Sequence, residues 1–371
     1  MKEKLLLNDL SIVLLIQKEE KRIDISSKDF GELSGQVIQE YTLTNQHGIS
    51  LSAINYGAAV TSIQIPDKNG LYQNIVLGYT NLNEYVSYRP YYGATVGRVA
   101  GRIDKGKFTL EGKNYQLETN DKTNHSHGGI NGFDTKIWTV KTESTENEGH
   151  LVFTYNSPHG ENGYPGNLTV KVTYTLRESN EWKISYQATT DKTTLFNPTN
   201  HVYFNLSGDP TKSINQHTLA LTSKYFAELK EDYIPTGTLL PVKGTPFDFT
   251  TADTVNKGFE STHPQNKLVS GYDHPFVLEH LADKPEATLY DQKSGRRVQM
   301  VTDRDAVVIF AVNTLDGRHT NEGTSEEHYA GITLEAQNLP NAINQKDFGK
   351  VTLSPDEIFQ SETTYRFDTM L

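Results

Sequence analysis

From about Val37 onward the chain alternates apolar and polar positions with a period of two. Leu168, Val170, Val172, Tyr174 and Leu176 are separated by polar residues, the pattern of a strand with one buried face. Glu178-Ser179-Asn180 interrupts it, and Trp182, Ile184, Tyr186 and Ala188 resume it, which predicts a hairpin. Leu151, Phe153 and Tyr155 alternate likewise. Phe108 and Leu110 lead through Gly112-Lys113 to Tyr115 and Leu117, a second hairpin. Residues 306–312 and 332–336 are apolar enough for buried strands. Helical signals are few: residues 81–85 predict one turn and 231–233 another. Many short strands and few helices predict an all-β protein, a large antiparallel β-sandwich or barrel with few short helices, and not βαβ units.

The first thirty residues differ from the rest. Leu5-Leu6-Leu7 and the apolar run from Ile12 to Ile16 follow Lys2 and Lys4. Asn8 and Asp9 break the run, and charged residues stand where a small-residue cleavage site would be, against a signal peptide. The run is too short and polar to span a bilayer. We therefore expect an N-terminal extension over 1–34, a single β domain over 35–371, no membrane association and a cytoplasmic location.

Composition narrows the chemistry. The absence of cysteine excludes disulfides, thiolate nucleophiles and Cys-ligated metals. A net charge of −11 disfavours contact with phosphate backbones, so no nucleic-acid partner is expected. Tyrosine, at 20 residues against 2 tryptophans, suits sheet surfaces and sugar clefts alike. Nucleophile-elbow, P-loop and dinucleotide fingerprints are absent.

Five segments concentrate polar residues among Gly, Pro and aromatics. Gly97-Arg98-Val99-Ala100-Gly101-Arg102 carries two arginines that could fork-bind hydroxyls or carboxylates, or stand in solvent on a surface loop. Asn124-His125-Ser126-His127-Gly128-Gly129 reads as a polar turn with structural histidines, or as a metal site with His201 and Glu335. Asn197-Pro198-Thr199-Asn200-His201-Val202-Tyr203 surrounds a histidine with groups able to fix its tautomer, in a core or a catalytic role. Glu335 lies in an apolar run, where an unpartnered carboxylate costs several kcal/mol and therefore implies a function or an ion pair. Asp273 sits beside Tyr272 and Phe276, in a turn or in a binding site.

In order along the chain, these segments resemble the aldose 1-epimerase family, which includes the galactose mutarotases. The resemblance rests on Gly97-Arg98 through Arg102-Ile103, His127-Gly128-Gly129 with Gly132-Phe133, Gly163-Tyr164-Pro165-Gly166, Thr199-Asn200-His201, Tyr272-Asp273-His274 and Leu334-Glu335-x-Gln337. It implies a β-supersandwich and interconversion of the α and β anomers of aldohexoses such as galactose or glucose, with no cofactor and no metal. It also implies Glu335 as general base, His201 as general acid, and Arg102, His127 and Asp273 as sugar-binding residues, with Tyr203 and Gln337 nearby. Two departures bear on sugar preference: Gly101 stands where many relatives have Asn, and residues 305–313 lack the Gln that some relatives use.

Such chemistry needs one base and one acid near C1. Glu335 is expected to be ionised at neutral pH, a neighbouring carboxylate is expected to favour charged His201, and burial is expected to draw their proton affinities together. Other readings are a metal-dependent isomerase on His125, His127, His201 and Glu335, a sugar-binding module without turnover, and a hexose-phosphate epimerase using Arg98 or Arg296-Arg297.

Overall fold

A computed structural model describes residues 22–312 and 328–370. The apolar run within residues 1–21, and Asn313, lie outside the described residues.

The alternating segments form the expected strands. Leu168–Arg177 and Glu181–Thr190 make a hairpin around Glu178-Ser179-Asn180, and Glu148–Ser157 pairs on its other side. They belong to a nine-stranded antiparallel sheet that also contains the long strand Phe359–Thr369. Two five-stranded antiparallel sheets accompany it. One begins with Asp24–Leu33 and Gln36–Thr44, so the boundary expected at residue 34 falls in the turn between two paired strands. The other runs Pro235–Pro241, Tyr225–Leu229, Asp273–Val277, Ala306–Phe310, Glu335–Gln337 in spatial order. A continuous core draws Leu51, Val60 and Ile63 from the first five-stranded sheet, Val170, Val172 and Trp182 from the large one, and Phe276, Val307 and Ile309 from the second.

The helical expectations fare differently. A helix spans Leu82–Tyr88, capped by Asn81 through a bond from the Glu84 N–H. Residues 231–233 form no helix. They are the tip of a hairpin between Tyr225–Leu229 and Pro235–Pro241, where Tyr233 has φ +68° and the Lys230 N–H bonds the Ile234 carbonyl. Two short helices, Asn256–Phe259 and Pro264–Val269, went unread because neither is long enough to show a 3.6-residue period.

The large sheet also braces short segments at its edge. The Tyr174 hydroxyl donates to the Ala58 carbonyl (2.6 Å), accepts from Asn200 Nδ2 (3.0 Å) and meets Thr95 Oγ1 (3.1 Å), all buried. Asn200 directly precedes His201. Tyr174→Phe leaves the Ala58 carbonyl and the Asn200 amide without this partner, and is expected to cost about 1–3 kcal/mol, measured as a lowered urea midpoint with unchanged slope.

Candidate active site

Two segments far apart in sequence are stitched together by side-chain-to-backbone bonds. Asn197 Nδ2 donates to the Asn338 carbonyl (3.0 Å), and the Asn338 N–H returns to Asn197 Oδ1 (2.9 Å). Thr199 Oγ1 donates to the Ala336 carbonyl (3.1 Å). The His201 N–H bonds the Ala94 carbonyl, and its own carbonyl accepts from Gly93. On the opposing side Glu335 pairs with Val308, and the Tyr365 hydroxyl holds the Leu334 carbonyl at 2.8 Å.

This scaffold sets His201 Nε2 3.2 Å from Glu335 Oε1. The two residues are 4% and 2% exposed. Thr333 Oγ1 donates to the same carboxyl oxygen at 3.0 Å while accepting from the Phe310 N–H. His201 Nδ1 has no hydrogen-bond partner, which favours a neutral ring with its proton on Nε2 or shared with the carboxyl.

Burial dominates the electrostatics. Desolvation raises Glu335 from 4.5 to about 8; the Thr333 bond opposes this, Asp273 adds to it and Arg102 opposes it. Desolvation lowers His201 from 6.5 to about 3. Burial therefore opposes the expected ionised Glu335 and charged His201, favouring a protonated carboxyl and a neutral ring. It pushes the two proton affinities in opposite directions, Glu335 up and His201 down, further than the expected approach.

The pair opens on a cleft of about 320 Å³, at the small end of the roughly 300–1,000 Å³ common for ligand sites. Arg102, His127 and Asp273 all line it, as do Tyr203 and Gln337. Arg102 donates from Nε to Asp121 Oδ2 (2.6 Å) and from Nη1 to Asp273 Oδ2 (3.3 Å). Burial alone would weaken the charge on Arg102, but the Asp273 and Asp121 carboxylates outweigh it and hold the guanidinium protonated. Burial raises the Asp273 carboxyl, with Arg102 opposing.

His127 has φ +49° and is followed by Gly128 and Gly129, also at positive φ. A Cβ on Gly128 would lie 1.8 Å from the Gly97 carbonyl oxygen, so the close approach expected of this glycine pair is made by the protein's own backbone. The Gly101 N–H donates to His127 Nδ1 at 3.4 Å, leaving the neutral ring's proton on Nε2. Burial, then the neighbouring His201, Arg102 and Arg89, keep the His127 ring well below ordinary imidazole values. Gly101 itself has φ +69°, and a Cβ there would meet Pro340 at 2.7 Å.

Other sequence candidates fall elsewhere. His125 bonds the Glu118 carbonyl and the Tyr164 hydroxyl, each at 2.8 Å, through its two ring nitrogens. It is a core residue and does not converge with His127, His201 and Glu335. Among the described residues no group of three or more His, Cys, Asp or Glu is arranged to hold a metal ion. Arg98 is neither solvated nor in the cleft. It is buried, and its donors reach Ser157 Oγ, Thr194 Oγ1 and the carbonyls of Ser157, Pro158 and Pro165. Arg296 is likewise spent on four backbone carbonyls and Gln73, and Arg297 pairs with Asp368. The hexose-phosphate reading thereby loses the cations it needed.

Tyr91, Asn120, Asp121, Ser126, Val308 and Phe310 also line the cleft and were not singled out from the sequence. Asn120 and Asp121 sit in a polar stretch indistinguishable from a surface turn. Val308 and Phe310 read as core.

A β-sandwich carrying a buried carboxyl–imidazole pair in a polar cleft defines a site fit for acid–base chemistry. The aldose 1-epimerase family profile matches residues 39–366. The galactose mutarotase of Rattus norvegicus is 37% identical over 351 residues, 93% of this chain and 99% of its own. The maltose epimerase of Levilactobacillus brevis is 34% identical, with 93% and 99% covered. The solved structure of galactose 1-epimerase from Lactobacillus acidophilus superposes with a TM-score of 0.85 at 30% identity, over 94% of this chain and all of that one. The chain belongs to the aldose 1-epimerase family.

Arg98 anchors the loop that carries Arg102. Arg98→Met strands the buried Ser157 and Pro165 carbonyls and is expected to cost about 3 kcal/mol or more, read from chemical denaturation. Arg98→Lys, with three donors in place of five, is expected to recover only part.

Proposed function

We propose that this protein is an aldose 1-epimerase, an isomerase that exchanges the α and β anomers of free aldohexoses through Glu335 and His201. The observation that carries this reading is the 3.2 Å contact between the two side chains at the cleft. The galactose mutarotase and galactose 1-epimerase relatives favour galactose as substrate.

In ring opening, the Glu335 carboxylate takes the C1 hydroxyl proton while protonated His201 gives a proton to the ring oxygen. The C1–O5 electron pair leaves with O5, and C1 becomes a carbonyl. Rotation about C1–C2 presents the other face, and closure returns both protons. The pair starts and ends with one proton in total. Burial makes the Glu335 carboxylate a stronger base and protonated His201 a stronger acid, so the opening transfers run downhill from that form, at the cost of first moving the pair's proton from Glu335 to His201. The resting state, with the proton on Glu335, is the one ring closure requires.

Arg102, His127 and Asp273 are read as holding hydroxyls remote from C1, so that C1 stays free to rotate. Tyr203 and Phe310, in edge contact with each other and near His201, offer an apolar wall for the sugar's C–H face.

Glu335→Gln and His201→Asn are each expected to lower kcat by about 10²-fold or more with circular dichroism unchanged, followed polarimetrically on α-glucose or α-galactose. Wild-type rates in both variants would defeat the assignment.

The same proton count sets a pH dependence. Above pH about 8 the pair loses its one proton, and nothing remains to protonate O5. After subtraction of the spontaneous rate, kcat/KM is expected to be level from pH 6 to 7.5 and to fall about tenfold per unit beyond 8. A fall that begins instead near pH 6.5 and continues as pH rises would mean that His201 titrates as an ordinary imidazole.

A further inference from the structure

One charged group in the cleft, Asp121, has no part in the proton transfers or in the hydroxyl contacts proposed above. Asp121 holds Arg102 Nε at 2.6 Å, closer than the 3.3 Å between Arg102 Nη1 and Asp273. Asp121 stands on a pinned loop. Its backbone N–H and carbonyl both bond Asn124. The Asn120 side chain accepts from the Ser126 N–H (2.7 Å) and donates to the Ser126 carbonyl (2.9 Å). Asn124 Nδ2 reaches across to Asp232. The Tyr233 ring, 5.1 Å from the Arg102 guanidinium carbon, closes the back of this arrangement.

Arg102 is the only Lys or Arg among the described residues lining the cleft. Other cations around it are committed: Arg89 to Asp134 and the Gly129 carbonyl, Arg98 to carbonyls and hydroxyls, and Lys122, which does not line the cleft, to the Tyr233 ring and the Glu231 carbonyl. Two carboxylates on one guanidinium leave that wall with a negative charge in excess. A phosphate or carboxylate on a sugar needs a guanidinium fork or an ammonium. Here it would have to displace Asp121 from Arg102 and would face two carboxylates of its own sign.

We propose that Asp121 is a specificity-determining residue that makes the cleft select uncharged and cationic aldoses against anionic ones such as sugar phosphates and uronates. The inference rests on the mutarotase reading and adds the sugar's charge class to it. With Asp121 removed, the guanidinium regains a free edge and the wall becomes neutral.

The test compares glucose 6-phosphate with 6-deoxyglucose, both anomerically equilibrated, in titrations followed by ligand-observed NMR, so that affinity is read without turnover. The wild-type protein is expected to bind the phosphate at least tenfold more weakly than the neutral sugar. Equal binding would overturn the proposal without any variant. In Asp121→Asn the ratio is expected to shrink at least threefold, and in Asp121→Glu, which keeps the charge, to stay at the wild-type value. An unchanged ratio in folded Asp121→Asn, or loss of selection in Asp121→Glu to the same degree as in Asp121→Asn, would overturn it. Failure of the mutarotase reading shows separately, as a wild-type protein that binds sugars but does not accelerate mutarotation in the polarimeter.

Discussion

A carboxyl and an imidazole 3.2 Å apart, both cut off from bulk water, are the constraint around which the rest is arranged. In water the two would form a charged pair. Here desolvation makes the charged form the costly one, and one proton shared between them is the cheapest arrangement. A substrate that accepts one proton while giving up another moves the pair between its two internal forms without changing its total charge. That is the property a reversible, redox-neutral isomerisation requires, and it follows from burial more than from the choice of residues.

Holding such a pair at hydrogen-bonding distance demands a stiff frame, since the side chains gain little from meeting. The frame consists of polar side chains that bond backbone: Asn197 to Asn338, Thr199 to the Ala336 carbonyl, Asn200 to Gly93 and to Tyr174, Tyr365 to Leu334. Each is buried, so each would be expensive to leave unsatisfied. Asn and Thr near His201 are therefore joints between two sheets, and not sugar ligands. The same logic applies to Arg98, whose charge is spent entirely on keeping a loop in place.

The long strands were legible because their alternation records a single buried face, as along Leu168–Arg177 and Glu181–Thr190. The fold class followed from them. The two-residue ladders that carry Asn200, Ser126 and Arg102 were not legible, since a period of two cannot be seen in two residues. For the cleft, sequence order and family resemblance pointed to Glu335, His201, Arg102, His127 and Asp273, and these side chains do converge on it. Asp121 could not be found that way. Its importance comes from a contact with Arg102 across a turn, and nothing in Thr119-Asn120-Asp121-Lys122 distinguishes it from a solvated loop. The protonation pattern was legible only in direction: burial was expected to draw the two proton affinities together, and the solvent exclusion of the folded cleft pushes Glu335 up and His201 down further than the sequence could indicate.

The crowding at Gly101 bears on how this cleft could be re-engineered. Its backbone lies at φ +69°, and any side chain would begin 2.7 Å from the Pro340 ring. An asparagine placed there therefore has to push the Pro340 ring aside. Pro340, three residues beyond Gln337, has to be replaced or shifted in the same step, so the two positions form a single unit for anyone reshaping this wall of the cleft.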